Sequence, residues 1–130
     1  MTEIKVVDFD RLDYSKFDFS LMEKDKRWWY WYEIPSGKML LALDGKKVVS
    51  LTTYELRDKE VFIDRVVVTP KYRGKGIAKR LVSKLEVTAS KLGKRLYAYP
   101  LNDEALRFFH RIGFKGEVAV SKIPKGVTYV

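Results

Sequence analysis

The segment that constrains the fold most is 61–92, because a glycine-containing loop in it joins an apolar strand to a long amphipathic helix. Its first eight residues are predicted to form a strand that is apolar and β-branched at its end, and Pro70 terminates this strand. Apolar residues then recur every four positions on one face of a helix predicted over 74–92: Ile77, Leu81 and Leu85. Glycines between a strand and a helix let the backbone approach a ligand, and the first helical N–H groups suit an anion. We predict an anion-binding loop here, against the simpler interpretation of a tight turn.

The chain before this segment predicts strands with one helical region. Residues 4–6 alternate as a short first strand, and the charged and aromatic stretch 10–32 is expected to be partly helical. Two stretches predicted as strands, 39–43 and 48–56, flank Asp44-Gly45, a pair that favours a type I′ hairpin turn with two positive φ angles. Together with the strand that begins at Val61, these runs predict an antiparallel meander.

After the helix, 96–99 is predicted as a strand that ends at Pro100, and Asn102 as the N-cap of a second helix that stops at Gly113. Residues 114–121 and 126–130 are expected to be closing strands. The strand–helix–strand order over 61–99 favours a parallel crossover. The predicted fold class is therefore α+β, a mixed and mostly antiparallel twisted sheet flanked by helices in a single domain over 1–130.

Composition excludes several kinds of chemistry. The chain has 130 residues, no cysteine and one histidine, which rules out disulfides, thiol nucleophiles and multi-histidine metal sites, so we expect no metal. No apolar run approaches the roughly 18 residues of a membrane span, and the N-terminus is acidic, so the expected location is the cytoplasm. The scarcity of amide side chains beside abundant charge agrees with a thermophile as well as with chance.

The net charge of +9 is concentrated in one part of the chain. Residues 65–115 hold 13 basic and 3 acidic residues, whereas 1–64 hold 11 basic and 13 acidic residues. Such an excess predicts an anionic partner: a phosphorylated ligand, nucleic acid or a membrane surface. Because the basic segment includes the glycine loop, a small phosphorylated ligand explains the charge best.

The loop resembles a known cofactor-binding motif. The resemblance is to the acetyl-CoA-binding motif of the GNAT superfamily of N-acetyltransferases. This motif has Arg or Gln at its first position, Gly at its fourth and Gly or Ala at its sixth. In this chain, the three positions are Arg73, Gly76 and Ala78. A second stretch, from Asn102 to Phe114, is similar to the superfamily's second signature. The resemblance covers residues 61–115 and implies a GNAT-like fold, acetyl-CoA as acyl donor and an amine as acceptor.

The resemblance also implies roles for particular residues. Backbone groups of the strand at Val66, Val67 and Val68 would pair with the pantetheine arm, and one N–H would polarise the thioester carbonyl. Asn102 would form a hydrogen bond with the pantetheine arm. The alternative is that it acts only as a helix N-cap. The pyrophosphate would be held by loop amides with added charge from lysine: Arg73, Gly74, Lys75, Gly76, Ile77, Ala78 and Lys79.

Catalysis is where the sequence departs from the family. Many members carry a tyrosine acid at the position of Phe109, beside the cofactor, and phenylalanine cannot donate a proton. Either another group serves, or the thiolate leaves unprotonated, or the protein binds acyl-CoA with little catalysis. The expected replacements come from two strands, each with packing or ion pairing as the alternative: Asp64 or Glu60 with water as base, and Tyr97 or Tyr99 as acid or water holder. His110 is expected to be a solvated surface residue.

Five consecutive aromatic residues, Trp28 to Tyr32, permit three interpretations: partial packing on the sheet, an acceptor pocket, or a dimer interface. The leading hypothesis for the whole chain is an N-acetyltransferase acting on a protein N-terminus, a lysine or a small amine. The alternatives are a non-catalytic acyl-CoA-binding module and, less favoured, a nucleic-acid binder. The acidic N-terminal half suggests a cationic acceptor, no membrane partner is expected, and either a monomer or a homodimer is compatible.

Overall fold

The computed structural model describes residues 3–9, 15–23 and 38–127. The aromatic run at 28–32, and the prediction of a last strand beyond residue 127, lie outside these residues. The described strands are β1 (Ile4–Phe9), β2 (Lys38–Asp44), β3 (Lys47–Leu56), β4 (Glu60–Val68), β5 (Arg95–Ala98) and β6 (Val120–Lys122). The described helices are α1 (Ser20–Glu23), α2 (Ile77–Leu92) and α3 (Asp103–Arg111).

The six strands form one sheet in the order in which they occur along the chain. β1, β2 and β3 pair antiparallel, β4 and β5 pair parallel, and β5 and β6 pair antiparallel. The parallel pair is the one that α2 connects, as the strand–helix–strand order predicts. The predicted fold class, a mostly antiparallel mixed sheet flanked by helices, is confirmed.

The hairpin between β2 and β3 differs from the predicted turn. Asp44 pairs with Lys47, so the loop consists of Gly45 and Lys46. Gly45 has φ +63°, and no non-glycine residue in the described ranges has a positive φ. The type I′ prediction, which needs two positive φ angles, is wrong; one positive φ at the first loop position is the type II′ pattern.

Two further boundaries differ from the predictions. α2 begins at Ile77 and not at residue 74, because Gly74 and Gly76 adopt positive φ and a right-handed helix needs negative φ. The predicted strand over 114–121 is reduced to β6 and an isolated bridge between Lys115 and Ser121. Gly116, at φ +121°, breaks the extended course of this segment.

The residues cluster into two compact units, Met1–Tyr54 with Arg65–Val82 and Glu55–Asp64 with Ser83–Val130. The first unit has an apolar core to which β1, α1, β2, β3 and β4 contribute; its members are Phe9, Phe19, Met22, Met39, Leu41, Leu43, Val48, Leu51 and Val67. Each fully buried leucine contributes about 1.5–3 kcal/mol of transfer free energy. In the second unit, Phe109 packs edge-on against Phe114 with ring centroids 4.9 Å apart.

The apolar stripe predicted on α2 is the face that the helix buries. Leu81 and Leu85 have no exposed area, and Ile77 is buried as well. The last residue of the predicted stripe, Leu92, is half exposed, so the buried face ends one turn before the helix does. No helix of the described residues is long and apolar enough to cross a membrane.

Candidate functional site

The edge of β4 that faces away from β3 presents backbone groups in the first unit. The carbonyls of Arg65 and Val67 accept hydrogen bonds from the side chains of Thr52 and Ser50 on β3, each at 2.6 Å. Because N–H and C=O directions alternate along a strand, those of Val66 and Val68 point to the opposite edge. Pairing with β5 ends at Ile63 opposite Ala98, before this stretch begins.

The three valines therefore do different things. Val66 and Val68 direct their backbones toward the edge where the resemblance places the pantetheine arm. Val67 directs its carbonyl to Ser50 and buries its side chain, so it supports the strand and offers no group at that edge. The Val68 carbonyl accepts a hydrogen bond from Arg73 Nε at 3.1 Å, which leaves the Val68 N–H as the group directed outward.

A short 3₁₀ turn, Pro70–Tyr72, carries the chain from β4 into the glycine loop. Gly74 and Gly76 follow with φ +75° and +76°, a left-handed conformation that costs other residues about 1–2 kcal/mol. A Cβ built on either glycine meets no atom within 4 Å. The two glycines are therefore required for backbone conformation and not for lack of space.

The N-terminus of α2 opens directly after these glycines. The Arg80 N–H donates to the Gly76 carbonyl at 3.1 Å and is the first bond of the helix. The N–H groups from Gly76 to Lys79 precede this bond, so they have no acceptor within the helix and lie at the positive end of its dipole.

The glycine loop and the first turn of α2 carry several cations. Residues 65–85 contain no Asp or Glu, and every basic side chain of the loop and of the first turn of α2 is exposed: Lys71, Arg73, Lys75, Lys79 and Arg80. Like charges this close repel one another, and cations at a helix N-terminus oppose its dipole. The positive charge concentrated at the loop fits a phosphate-bearing ligand.

A side chain anchors the loop to the β2–β3 hairpin. The Tyr72 hydroxyl donates to Asp44 Oδ2 at 2.6 Å, and Lys75 Nζ lies 5.3 Å from the centre of the Tyr72 ring. The hydrogen bond to Asp44 raises the pKa of the Tyr72 phenol above its ordinary value. Sequence reasoning missed this anchor, because 28 residues separate its two partners and no local pattern joins them.

In the second unit, three aromatic side chains lie on the less buried face of β4 and β5. Phe62 pairs with Tyr97 across the two strands, and its ring centroid lies 6.3 Å from that of Tyr97 and 6.1 Å from that of Tyr99. The two tyrosine rings meet edge-on at 5.2 Å, and the Tyr97 hydroxyl donates to the Tyr99 hydroxyl at 2.9 Å. We call Phe62, Tyr97 and Tyr99 the aromatic cluster.

The proton of Tyr97 is held more firmly than that of an ordinary phenol. The hydrogen bond to Tyr99 is the largest cause that raises the pKa of Tyr97, followed by desolvation and by the charges of Tyr99 and Glu60, while Arg95 lowers it. With Tyr97 as donor, the hydrogen of the Tyr99 hydroxyl is directed to another acceptor. Tyr99 is half exposed, so that acceptor can be a ligand or water.

The two candidate bases differ in their exposure to solvent. Arg95 holds Glu60 through its Nη2 at 2.7 Å and its Nε at 2.9 Å, both to Oε2. Asp64 is exposed and lies on the same face of β4 as Glu60 and Phe62, since Val61 and Ile63 between them are buried. The predicted shared face is present, and Glu60 on it forms an ion pair with Arg95.

Asn102 and Phe109 lie on α3 and its cap. Asn102 Oδ1 accepts the Ala105 N–H at 2.8 Å, which confirms the predicted N-cap and leaves the Nδ2 hydrogens to face solvent or a ligand. Phe109 is buried between Phe108 and Phe114, with ring centroids 5.3 and 4.9 Å away. A hydroxyl added at Phe109 would have to be accommodated beside those rings.

His110 is exposed, as expected, and its Nε2 lies 2.7 Å from the Gly116 carbonyl oxygen, so it fastens the turn after α3. No three metal-binding side chains come together within the ranges that the structure describes.

A further residue that sequence reasoning missed is Arg57, whose guanidinium lies 4.0 Å above the centre of the Phe62 ring. Its position in a turn before β4 gave no signal of this contact.

Comparison with known proteins bears on the family and the fold of this chain. The model of the acetyltransferase (GNAT) family matches residues 6–114. No curated protein sequence matches the chain. Among solved structures, a GNAT-family acetyltransferase from Staphylococcus aureus Mu50 is 16% identical with a TM-score of 0.70, over 95% of this chain and 100% of its own.

Two other solved structures are similar in the same way. The PaiA N-acetyltransferase from Thermoplasma acidophilum, in complex with coenzyme A, has a TM-score of 0.70 at 16% identity and covers 93% of this chain and 99% of its own. AtaT complexed with acetyl-methionyl-tRNAfMet has a TM-score of 0.71 at 14% identity and covers 95% and 96%. These likenesses establish the fold, and the family model adds the chemistry: the chain belongs to the GNAT family of acetyltransferases.

Proposed function

We propose that this protein is an acetyl-CoA-dependent N-acetyltransferase that moves an acetyl group directly to an amine. One observation carries the proposal: the glycine loop, with two left-handed glycines and exposed cations, opens onto the N-terminus of α2 at the end of β4. Membership of the acetyltransferase family names the group that such a phosphate site would hold. The bound donor would supply an acetyl thioester; the steps below belong to residues of the chain.

The binding role falls on backbone groups of the first unit. The N–H groups of residues 74–79 would hold the pyrophosphate, because they precede the first hydrogen bond of α2. Lys75 and Lys79 add charge beside them. The outward-facing edge of β4 at Val66 and Val68 would pair with the pantetheine arm, and Asn102 would donate to that arm through Nδ2 while its Oδ1 caps α3.

The base role falls on Asp64. An amine attacks only in its neutral form, so a proton must leave it, directly or through water. Glu60 already binds Arg95 through two nitrogens, and both contacts occupy the same carboxylate oxygen, Oε2. Asp64 is the exposed carboxylate on the same face, and a water between it and the amine would carry the proton.

The acid role falls on Tyr99, with Tyr97 as its positioning residue. Phe109 has no proton to give and is buried among aromatic rings. The Tyr97 hydroxyl donates to the Tyr99 oxygen, which fixes that oxygen and directs its own hydrogen away from Tyr97. The half-exposed Tyr99 hydroxyl is then the group that protonates the departing thiolate.

The alternative function is a module that binds acyl-CoA with little catalysis. The specific observation that favours it is Phe109, where many family members have a tyrosine acid. Under this alternative the loop and the β4 edge keep their roles, and the aromatic cluster is only packing.

Release of free thiol from acetyl-CoA in the presence of amines separates the two functions. The panel would contain a peptide N-terminus, a lysine side chain, small amines and an aminoacylated RNA, the last because one solved neighbour is complexed with an acetylated aminoacyl-tRNA. Amine-dependent thiol release supports the transferase. Tight CoA binding without release from any amine would favour the binding module, and absence of CoA binding would overturn both.

A further inference from the structure

The two arginines that lie on rings of the aromatic cluster do not match the cationic acceptor that the acidic N-terminal half suggested. Arg57 lies 4.0 Å above the Phe62 ring and Arg95 lies 5.0 Å above the Tyr97 ring. A ring face already covered by a guanidinium cannot offer itself to a second cation, and that guanidinium repels an ammonium or guanidinium ligand nearby. Two of the three rings therefore disfavour an acceptor that is only cationic.

The two arginines differ in how far their charge is balanced. Arg95 is held by Glu60 at 2.7 and 2.9 Å, with both side chains mostly shielded from solvent. Arg57 has a single contact to Glu55 at 3.5 Å, with side chains 40% and 44% exposed, which is an ion pair of little strength. Most of the five guanidinium N–H donors of Arg57 remain directed to solvent or to a ligand.

The backbone around Arg57 is fixed, so this guanidinium is not merely a side chain on a loose turn. The Arg57 N–H donates to the Glu60 carbonyl at 2.8 Å, and Lys94 Nζ donates to the Arg57 carbonyl at 2.5 Å. Stacking on Phe62 then limits the rotation of the side chain. Little ordering entropy is left for a ligand to overcome, which favours binding through this group.

We infer that Arg57 binds a carboxylate of the acceptor, so the acceptor class is an amine that also carries a carboxylate. The fork of N–H groups in a guanidinium matches the two oxygens of a carboxylate, and the stacked ring keeps one face of that fork fixed. The inference rests on the proposed transferase function. The carboxylate can belong to a free amino acid or to an acidic side chain near a peptide N-terminus; the chemistry that Arg57 recognises is the same.

The test compares acceptors that differ only in the carboxylate. Acetyl transfer is measured to a free amino acid and to its amide, and to peptides that begin with Glu and with Gln. We expect kcat/KM to be higher for a carboxylate-bearing member of at least one pair, and the pair that shows the difference identifies the source of the carboxylate. In Arg57→Met, which keeps an apolar group over Phe62, that preference should fall by about 10- to 100-fold.

The controls distinguish a failure of this inference from a failure of the proposed transferase function. Arg107→Met removes a charge from an exposed position on α3 and should leave the acceptor preference unchanged. Arg57→Lys should recover part of the preference, and the Kd for CoA should be that of the wild type in all three variants. Equal kcat/KM for both members of each pair, or an unaltered preference in Arg57→Met, would overturn the inference while the transferase stands. Loss of all transfer in the wild type would instead overturn the proposed function.

Discussion

The hydroxyl groups of Tyr97 and Tyr99 lie 2.9 Å apart, and we propose that this pair protonates the departing thiolate. The sequence placed both on one strand face as candidates, because residues two apart on a strand share a face. It did not predict which would donate to the other, since that depends on rotamers. The hydrogen bond to Tyr99 raises the pKa of Tyr97, in agreement with our proposal that Tyr97 positions the Tyr99 hydroxyl.

We predict that Tyr99→Phe lowers kcat for acetyl transfer by about 100-fold and leaves the KM for acetyl-CoA unchanged, because it removes a general acid and no binding group. Tyr97→Phe should lower kcat less, by about 10-fold, because it removes only the hydrogen bond that fixes the Tyr99 oxygen. Steady-state kinetics measures both. A wild-type kcat in Tyr99→Phe would mean that the thiolate leaves unprotonated or that another group protonates it.

Gly76 is required because its φ is positive. The effect of this conformation on stability can be measured separately from its effect on ligand binding by the loop. We predict that Gly76→Ala destabilises the fold by about 1–2 kcal/mol, the cost of left-handed φ for an L-residue, and also weakens CoA binding because the loop amides turn. Gly126 is a matched control, since it has φ +84° and an added Cβ there also meets no atom within 4 Å.

Urea unfolding should therefore give similar losses of stability for Gly76→Ala and Gly126→Ala. Calorimetric titration with CoA should show a raised Kd in Gly76→Ala alone. If both variants bound CoA equally well, the loop backbone would have no part in holding the ligand.

Among the elements, α2 and α3 show what periodicity and capping residues can predict. The buried face of α2 followed from the four-residue recurrence of its leucines, and the start of α3 followed from Asn102. The start of α2 did not, because a helix predicted through Gly74 and Gly76 ignores that glycine adopts positive φ without cost. The alternating residues after Phe114 resembled a strand, but Gly116 bends the chain so closely that a Cβ there would lie 2.0 Å from the Ala119 carbonyl oxygen.

The cap of α3 carries the second prediction about binding. Asn102→Asp keeps an oxygen that accepts the Ala105 N–H and adds a negative charge at the helix N-terminus, so the stability of the protein should be retained or slightly raised. The same change removes the Nδ2 donor that we assign to the pantetheine arm. We expect Asn102→Asp to bind CoA about 10-fold more weakly at unchanged stability.

Asn102→Ala is the companion variant, and it should lose both the cap, at about 1 kcal/mol, and the donor. Thermal unfolding and calorimetric titration on the same samples measure the two effects. Wild-type CoA affinity in Asn102→Asp would leave Asn102 with a capping role alone.

At the scale of the whole molecule, charge and strand order were the most predictable properties and the pairing of distant side chains the least. The basic segment could be counted from the sequence, and the structure places part of it, from Lys71 to Arg80, around the loop. Contacts such as Tyr72 with Asp44, or Arg57 with Phe62, depend on where the sheet brings its strands together. No periodicity or composition encodes such contacts, which is why Arg57 was not among the candidates.

The stability of the fold should fall in alkaline solution, and among the tyrosines with a raised pKa, Tyr54 is the one with the largest shift. Burial first, and then the charge of Asp8 and a hydrogen bond to it, raise the pKa of Tyr54 from 10.0 to about 12. An unfolded tyrosine ionises near pH 10, so the contribution of Tyr54 is complete below that pH and is lost as the pH rises from about 10 to about 12. Urea unfolding across this range should show a loss of about 2 kcal/mol that Tyr54→Phe removes. A Tyr54→Phe variant as alkali-sensitive as the wild type would assign the loss to other groups.

The measurement that tests the central claim most directly is calorimetric titration of the wild-type protein with CoA, repeated with dephospho-CoA and at raised salt. The account predicts one CoA per chain, a Kd that rises with salt because exposed cations around the loop contribute to binding, and weaker binding of dephospho-CoA, which carries one phosphate fewer. The contradicting result would be no heat of binding up to millimolar CoA from a folded protein, since the glycine loop and the N-terminus of α2 would then hold no such ligand.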